Sequence, residues 1–408
     1  MDEISRYAVG LDVGTENVRA VVATVSKDGK LTVVGYNEAK NAGMRKGIVA
    51  NLTGPAEAID RTLGEVERMS GYEIDSATIS TSGAQILTTR VEGMIAVGMP
   101  DHEITIDDLD RVEQVAVTGR IPANRDVLDV VPLGYSLDGQ DGVKDPVGMT
   151  GSRLEMRASV VTALTPNCVN LKKTTEAARV TAERLVPTAV AAGRAVLSEK
   201  QKENGVAVVD FGSATTSIAV FEEGELQFTG VVPVGSNNVT NDLAIVLKVN
   251  TDIAEEIKRR HVSAAFLETK DVMIKVGRED LCFERQEIDE VVKDRLDEIF
   301  SKVRKELKKA GFDRRLPEGI VLTGAGAKMR DINIFAKIAL EASVKIGVPD
   351  GLSGVVDEVQ KPEYAVAVGL MLMSAEGASG EKIMRASKKK GGNKERKENI
   401  LKKFFSKF

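Results

Sequence analysis

The sequence predicts an α/β protein whose two duplicated domains face a shared ligand site. Two segments about 200 residues apart each read as a buried strand, a turn with Asp and Gly, and a second strand. The first begins at Val9 (VGLDVGTENVRAVVA) and the second at Ala207 (AVVDFGSATTSIAVF). A chain of 408 residues is also too long for one simple core, so at least two domains are expected.

The two turns share the residue types that bind phosphate and metal. Glycine permits backbone angles that point successive N–H groups into one concavity, and Ser or Thr hydroxyls add donors. A carboxylate after each strand suits Mg²⁺, which keeps most of its waters. Taken singly, either copy could be an ordinary hairpin, but the duplication favours one shared site. The equivalent pairs are Asp12 and Asp210 (expected to hold Mg²⁺ through water), Gly14 and Gly212, and Thr15 and Ser213.

A third glycine-rich turn lies in the segment GIVLTGAGAKMRDINIFAKIAL. We predict a strand at 319–323, a turn at 324–328 and an amphipathic helix at about 330–341. A glycine-rich turn between a strand and a helix lets a nucleotide approach the backbone closely. The chain lacks the P-loop motif, and Met329 occupies the third glycine position of the dinucleotide-binding motif.

The three turns, in this order, resemble the actin/Hsp70/sugar-kinase superfamily. The resemblance implies an actin-like fold, in which two RNase H-like α/β domains enclose a cleft that binds ATP and Mg²⁺. On this basis 10–17 is the first phosphate loop, 208–216 the second and 323–328 the adenosine loop. The apolar segments 185–197 and 363–374 resemble the two helices that connect the domains.

Residues outside the three turns also match that nucleotide site. The segment TDIAEEIKRRH resembles the helix that offers a Glu and a Lys to the adenosine. The alternative is a solvent-exposed helix whose opposite charges pair with one another. The segment VPVGSNNVTNDLA, expected near the nucleotide, favours the first interpretation. The resemblance therefore implies ATP binding by Gly14, Thr15, Glu16, Asn17, Gly212, Ser213, Ala214, Thr215, Gly235, Asn238, Glu255, Lys258, Gly324, Ala325, Gly326 and Lys328.

The segment LDVVPLGYSLDGQDGVKDPVGMTGSRLEM resembles the subdomain that is inserted in the FtsA family of bacterial cell-division proteins, which are actin homologues. We predict short strands in this region and one helix that begins near Thr105, with Asp107 and Asp108 in its first turn. The resemblance implies subdomains IA (1–84, 164–203 and 356–376), SHS2-like IC (85–163), IIA (204–243 and 316–355) and IIB (244–315), then a flexible linker (377–393) and an amphipathic helix (394–408).

A long amphipathic helix is predicted from about residue 287 to the residues before Gly311, a suitable helix cap. It resembles the helix of the FtsA family that receives the C-terminal peptide of FtsZ. On that match Arg285, Arg295 and Glu298 contact the peptide. The alternative is that both arginines only keep an exposed face soluble. The apolar face consists of Ile288, Val291, Val292, Leu296, Ile299, Phe300 and Val303.

The last residues combine positive charge with large apolar side chains. Residues 388–408 carry a net charge of +7, whereas the rest of the chain carries −12. An isolated helix of this length is unstable in water, but it can lie in an anionic membrane interface. Alternatively, it docks on the body or on another chain. At 100° per residue, the Lys side chains lie opposite an apolar arc made by Ile400, Leu401, Phe404, Phe405 and Phe408.

The FtsA resemblance implies an ATP-binding adaptor that forms actin-like filaments and ties FtsZ to the cytoplasmic face of the cell membrane at the division site. Other division proteins are expected at 85–163. The second phosphate loop reads Gly-Ser-Ala-Thr where many relatives have three glycines, and the adenosine loop has Ala325 between its glycines, but we expect nucleotide binding to survive both departures. The sequence assigns no residue to orient an attacking water, and we expect slow hydrolysis or none. An acidic body with a basic tail does not predict a nucleic-acid binder.

Two alternatives remain from the sequence. One is a pilus-assembly protein like PilM, which shares the fold. The other is a metabolic kinase of the sugar-kinase type, which needs a general base beside its acceptor. Neither His102 nor His261 has a supporting partner in the sequence, and we expect both to be structural or exposed. Cys168 and Cys282 are predicted to be small core residues.

Overall fold

The structure of the protein, a computed structural model, describes residues 4–98, 103–276 and 279–388. The strands of these residues are β1 (Ile4–Val13), β2 (Asn17–Ser26), β3 (Leu31–Lys40), β4 (Met44–Arg45), β5 (Ile48–Val49), β6 (Ser76–Thr81), β7 (Leu87–Ala96), β8 (Arg125–Leu137), β9 (Gln140–Val143), β10 (Arg153–Leu164), β11 (Thr181–Pro187), β12 (Val206–Phe211), β13 (Thr216–Glu222), β14 (Glu225–Val232), β15 (Val272–Val276), β16 (Glu279–Phe283), β17 (Ile320–Thr323) and β18 (Val344–Ile346).

Helices cover the faces of the sheets and join the domains. Those of the described residues are α1 (Thr53–Ser70), α2 (Ile106–Val117), α3 (Thr165–Ala177), α4 (Thr188–Val196), α5 (Glu199–Asn204), α6 (Ser236–Val246), α7 (Thr251–His261), α8 (Arg285–Lys309), α9 (Ile332–Leu340) and α10 (Ala365–Lys388), with short 3₁₀ helices at Ala325–Lys328 and Pro362–Tyr364. None of the helices within these residues is long and apolar enough to cross a membrane.

Two five-stranded sheets have the same topology. In domain I the order is β3-β2-β1-β6-β11, and in domain II it is β14-β13-β12-β17-β18. The first three strands of each order pair antiparallel, and the last three pair parallel. The duplication predicted from two short segments therefore extends over both whole sheets, which confirms two α/β domains.

The helices α4 and α10 cross each other, and each lies in a segment of the chain that connects the two domains. At the crossing, a Cβ on Gly369 would lie 1.7 Å from Ala191 O. On its other side α10 lies directly on β1, where a Cβ on Gly10 would lie 2.1 Å from Ala367 O. Any side chain at either glycine would separate the packed backbones, so these two positions require glycine.

An inserted subdomain, β7 to β10 with α2, forms a four-stranded sheet in the order β7-β10-β8-β9. Its helix begins after Thr105, as predicted. The Thr105 hydroxyl accepts from Asp108 N, and the Asp108 carboxylate accepts from Thr105 N. This capping box fixes the start of α2, while buried Val112 and Ala116 pack its inner face on the sheet.

The predicted amphipathic helix is confirmed as α8. Its apolar positions are buried in the core of domain II, except that Val291 is half-buried. The prediction for the two cysteines holds for Cys168 and is wrong for Cys282, which is exposed. Cys282 lies on the two-stranded sheet β15-β16, which has too few strands to bury both of its faces.

Candidate nucleotide site between the two domains

The two duplicated turns face each other across the cleft between the domains. Asp12 and Asp210 lie at the ends of the equivalent strands β1 and β12, and both carboxylates reach one cavity. Of the residues predicted to bind ATP or metal, those that line this cavity are Asp12, Gly14, Thr15, Glu16, Asn17, Asp210, Gly212, Ser213, Thr215, Gly324 and Ala325.

Asp12 is buried beside a hydroxyl donor and a cation. Its Oδ1 accepts a hydrogen bond of 2.8 Å from Ser80 Oγ. The same Ser80 hydroxyl accepts from Val13 N at 2.9 Å, which fixes its direction. Burial raises the pKa of Asp12, although the charge of Arg19 and the hydrogen bond from Ser80 act in the opposite direction.

Asp210 is also buried, and its negative charge is stabilised less than that of Asp12. Burial, followed by the charge of Asp12, raises the pKa of Asp210 to about 7, although Arg19 and Thr188 oppose the rise. The backbone of Gly324 lies against this carboxylate, since a Cβ there would be 2.4 Å from Asp210 Oδ1. A hydrated divalent cation fits this donor set, because it would offset the repulsion between two buried carboxylates.

Arg19 lies in the same cavity, and no motif marks it. It is 9% exposed and stands opposite Asp12 in the β1–β2 ladder. Its Nε lies 2.9 Å from Glu38 Oε2 and its guanidinium carbon 5.7 Å from the ring centre of Tyr364. Among the described residues, Nε has no aligned hydrogen-bond partner. The signal available in the sequence is one charged residue inside the apolar strand NVRAVVATVS.

Each turn bends back so tightly that its glycine has no room for a side chain. A Cβ on Gly14 would lie 2.7 Å from Asn17 O, and one on Gly212 would lie 2.9 Å from Thr215 O. The first turn is also tied to its surroundings, because Thr15 Oγ1 accepts from Gly47 N at 3.0 Å. The two turns thus share one backbone shape, as the repeated sequence predicts.

Some residues predicted to contact the nucleotide lie around the second turn rather than in the cavity. A Cβ on Gly235, the cap of α6, would lie 2.5 Å from Ser213 O. Glu255 and Lys258 form an ion pair at 2.5 Å, and both bond Thr240 Oγ1 on α6. The predicted residues outside the cavity lining are Ala214, Gly235, Asn238, Glu255, Lys258, Gly326 and Lys328.

The predicted adenosine loop, 323–328, approaches the cavity from the side of domain II. Lys328 pairs with Glu363 of the cavity wall, with Nζ 2.6 Å from Oε1. The second oxygen, Glu363 Oε2, is buried without a hydrogen-bond partner in the described part of the chain. The enclosed space is about 70 Å³, well below the roughly 300–1,000 Å³ of typical ligand sites. It has room for phosphate groups and a cation but not for a nucleoside.

Two family models match the chain. The model described as cell division protein FtsA matches residues 207–369, and the model of the SHS2 domain inserted in FtsA matches residues 83–162. Cell division protein FtsA of Pseudomonas aeruginosa is 36% identical over 97% of this chain and 96% of its own length. The chain belongs to the FtsA family. FtsA of Escherichia coli strain K12 is 32% identical over 90% of both chains, and FtsA of Bacillus subtilis is 31% identical over 92% of this chain and 85% of its own.

Solved structures support the same fold. The PilM–PilN type IV pilus biogenesis complex aligns with a TM-score of 0.64 and 16% identity, covering 90% of this chain and 98% of that one. MreB5 of Spiroplasma citri bound to ADP aligns with a TM-score of 0.54 and 13% identity, covering 95% and 99%. The predicted actin-like fold with an FtsA-type insertion is therefore confirmed.

In this FtsA-family chain the predicted FtsZ-binding residues have different environments. Arg285 is 8% exposed, and its guanidinium donates to His261 O at 2.8 Å and Lys270 O at 3.1 Å. Arg295 instead lies at a groove of about 290 Å³ between α6 and α8. There its Nη2 donates to Asp242 Oδ1 at 3.0 Å, and Glu298 forms a further ion pair with it.

Other predicted features of this FtsA-family chain lie outside the described residues. These are His102 and the membrane-binding residues of the tail, so both remain predictions. His261 is the last residue of α7, where its carbonyl accepts from Arg285.

Proposed function

We propose that this chain binds ATP with Mg²⁺ in the cleft and serves as an adaptor that ties FtsZ to the cytoplasmic membrane during division. The observation that carries the nucleotide proposal is the pair of buried carboxylates, Asp12 and Asp210, on equivalent strands that face one cavity. Membership of the FtsA family supports the division role.

Each part of the cavity has a task in this proposal. The bound Mg²⁺ would neutralise phosphate charge. Asp12 and Asp210 hold its water ligands, while Arg19 and the N–H groups of the two turns bind phosphate oxygens. The nucleoside lies outside the small cavity, towards Gly235 and the pair Glu255–Lys258. Thr188 of the cavity donates to Ser217 Oγ at 2.8 Å, and Ser80 beside the cavity donates to Asp12 Oδ1 at 2.8 Å. Because these hydroxyls are already engaged, we expect slow hydrolysis or none.

The nucleotide proposal predicts that either Asp→Ala change weakens ATP binding mainly through Mg²⁺. We expect Asp12→Ala and Asp210→Ala each to lower ATP affinity at least tenfold, about 1.4 kcal/mol, in Mg²⁺ buffer by calorimetry. The loss should be much smaller in EDTA. Asp60→Ala, at an exposed position on α1, is the matched control. Equal losses in both buffers would show that the changes disturb folding and that no metal bridges the carboxylates.

For the FtsZ contact we favour the groove between α6 and α8. Ile245, at 73% exposure, offers an apolar wall beside Arg295, which an acidic peptide can attract away from Asp242. The buried Arg285 is committed to backbone carbonyls, so we assign it to holding the start of α8. Self-association into filaments and contacts of other division proteins at 85–163 remain part of this proposal.

One sedimentation experiment tests the adaptor as a whole. Anionic liposomes should pellet FtsZ only when this chain is present, because the tail binds lipid and the groove binds FtsZ. Phe404→Glu should abolish pelleting of both proteins, since a charge enters the apolar arc. Ser406→Glu, on the polar side of the same predicted helix, is the matched control.

Arg295→Glu with Ile245→Glu should leave this chain in the pellet and release FtsZ. Arg260→Glu with Ile338→Glu, two exposed changes on α7 and α9, gives the same change in net charge and is the matched control. If FtsZ still pellets with the doubly substituted protein, the groove is not its site. If the Phe404→Glu protein still pellets, the tail is not the anchor.

The two alternatives have less support. PilM shares the fold at 16% identity, against 31–36% for the FtsA proteins. The kinase alternative predicts phosphate transfer to a sugar, which the same purified protein can be tested for with labelled ATP.

A further inference from the structure

A second, larger cavity lies where the inserted subdomain meets domain II. Its volume is about 430 Å³, within the range of ligand and interface pockets. One wall belongs to the inserted subdomain and carries Arg90, Arg120 and Arg157 together with one carboxylate, Glu92. The other belongs to the β13–β14 hairpin and carries Glu222, Glu223 and Gln227.

The inserted subdomain already touches β14 at one side of this cavity. Thr88 Oγ1 donates to Thr229 O and accepts from Thr229 N, both at 2.8 Å. Ser159 Oγ donates to Gln227 O at 3.1 Å. Three hydroxyl contacts therefore cover the outer edge of β14, which would otherwise present unpaired backbone groups.

The arginines lie on the same sheet face as those hydroxyls. Side chains alternate between the two faces of a strand, so Arg90 follows Thr88 on β7, and Arg157 precedes Ser159 on β10. In the ladder, Arg90 stands opposite Ser159. The face that docks on β14 thus continues as a basic surface beside the cavity.

The charged side chains that line each wall are not paired with one another. Within the described residues, the side chains of Arg90, Arg120 and Arg157 make no hydrogen bond or ion pair, and the carboxylates of Glu222 and Glu223 make none either. By contrast, Arg153 on the same strand as Arg157 pairs with Glu155 at 2.8 Å. Counting Glu92, which stands opposite Arg157 in the β7–β10 ladder, the charged side chains of the inserted wall sum to +2 and those of the hairpin wall to −2. Each wall therefore offers net charge of the sign that the other lacks.

We propose that the two walls are each other's partners, and that the inserted subdomain closes on domain II by pairing Arg90 and Arg157 with Glu222 and Glu223. The contact between Thr88 and Thr229 stays in place as the pivot. The arrangement described here is the open form.

Closure would connect the inserted subdomain to the nucleotide cleft. Glu222 is the last residue of β13, and Thr216 at the other end of that strand follows the second phosphate turn. A rotation that pulls on Glu222 therefore acts on the strand that carries Thr216. The proposal itself does not depend on nucleotide binding, and the test below uses nucleotide-free protein.

The test measures the distance across the cavity in the full-length protein. Spin labels are placed at Thr118→Cys, beside Arg120 at the end of α2, and at Lys200→Cys on α5, which is hydrogen-bonded to the β13–β14 turn. Both positions are exposed, and Cys168→Ala and Cys282→Ser remove the native thiols. Pulsed electron paramagnetic resonance should show a longer and a shorter distance. Lowering the salt from about 500 to about 50 mM should raise the shorter population at least threefold, because screening weakens.

Charge variants then test whether these arginines and glutamates produce the shorter distance. Arg90→Gln with Arg157→Gln should lower the shorter population at least fivefold and remove its salt response. Glu222→Gln with Glu223→Gln should do the same, and combining all four changes should add nothing. Arg157→Glu with Glu222→Arg should restore part of the population. Arg153→Gln, also on β10 but outside the cavity, is the matched control.

Two results would overturn the proposal. One is a single distance that neither salt nor any variant changes. The other is a response to the arginine changes but not to the glutamate changes, which would mean that the arginines serve an external anion instead. Circular dichroism of each variant shows that the subdomain remains folded.

Discussion

The two halves of the cleft have the same backbone and different charges. In the first half, Asp12 receives a hydrogen bond from Ser80 and stands opposite Arg19. In the second half, Asp210 stands opposite Ser217. The residue equivalent to Ser80 by strand register is Thr323, and its hydroxyl donates away from the carboxylate, to Gly347 O at 3.0 Å and Pro362 O at 3.1 Å.

This difference explains why the two buried carboxylates are unlike. The first half places Arg19 and the Ser80 hydroxyl beside Asp12, whereas in the second half burial and the charge of Asp12 outweigh Arg19 and Thr188 and raise the pKa of Asp210 to about 7. A duplicated fold thus repeats the shape that positions a ligand, while its local charges are free to diverge. In this chain the second half has the greater need of an external cation.

The largest effect on stability is expected at Gly324, in the second half of the cleft, where there is no room for an added side chain. Gly324→Ala places a methyl group 2.4 Å from Asp210 Oδ1 and forces a side chain on a residue with φ of +87°. We expect a loss of about 2–4 kcal/mol of unfolding free energy by urea denaturation, from overpacking and backbone strain together.

A matched control separates these two causes. Gly311 has nearly the same φ, +86°, with no atom near the position of an added Cβ. Gly311→Ala should therefore cost only the strain, about 1 kcal/mol. Equal losses at both positions would mean that contact with Asp210 contributes nothing.

An intermediate effect with a pH signature is expected from neutralising the two carboxylates. Because the folded-state pKa of Asp210 is raised from 3.8 to about 7, its ionisation costs stability as the pH rises between these values. In nucleotide-free protein with EDTA, Asp210→Asn should gain about 1–2 kcal/mol at pH 8, and the gain should vanish by about pH 4. Asp12→Asn should gain less, since Ser80 and Arg19 already stabilise its charge. Equal gains would show that the halves are electrostatically equivalent.

The smallest effect on stability is expected from removing the Ser80 hydroxyl, which donates to Asp12. Ser80→Ala removes two buried hydrogen bonds and should cost about 1 kcal/mol in the same denaturation assay. It should also enlarge the gain from Asp12→Asn at pH 8, making the first half behave like the second. Thr323→Val, which removes a hydroxyl donor that does not face Asp210, should leave the Asp210→Asn gain unchanged. A cycle of Ser80→Ala and Asp12→Asn that is simply additive would contradict this explanation.

Features encoded in neighbouring residues could be predicted from the sequence. The tight turns follow from Gly14 and Gly212, and α8 follows from its helical spacing of apolar residues. The position of Arg19 could not be predicted, because it depends on the β1–β2 register and on Tyr364, far along the chain. The burial of Arg285 likewise depends on carbonyls of His261 and Lys270, which only the folded domain brings together.

The contact between Gly369 and Ala191 limits how the two domains can move. At Gly369, α10 approaches Ala191 of α4 so closely that no side chain separates the two backbones. Sliding one helix along the other would drive the larger residues on either side of Gly369 into Ala191. We therefore expect the domains to open as a hinge about this point rather than by shear. A nucleoside too large for the cavity would then enter through an angular opening, whose width grows with distance from Gly369.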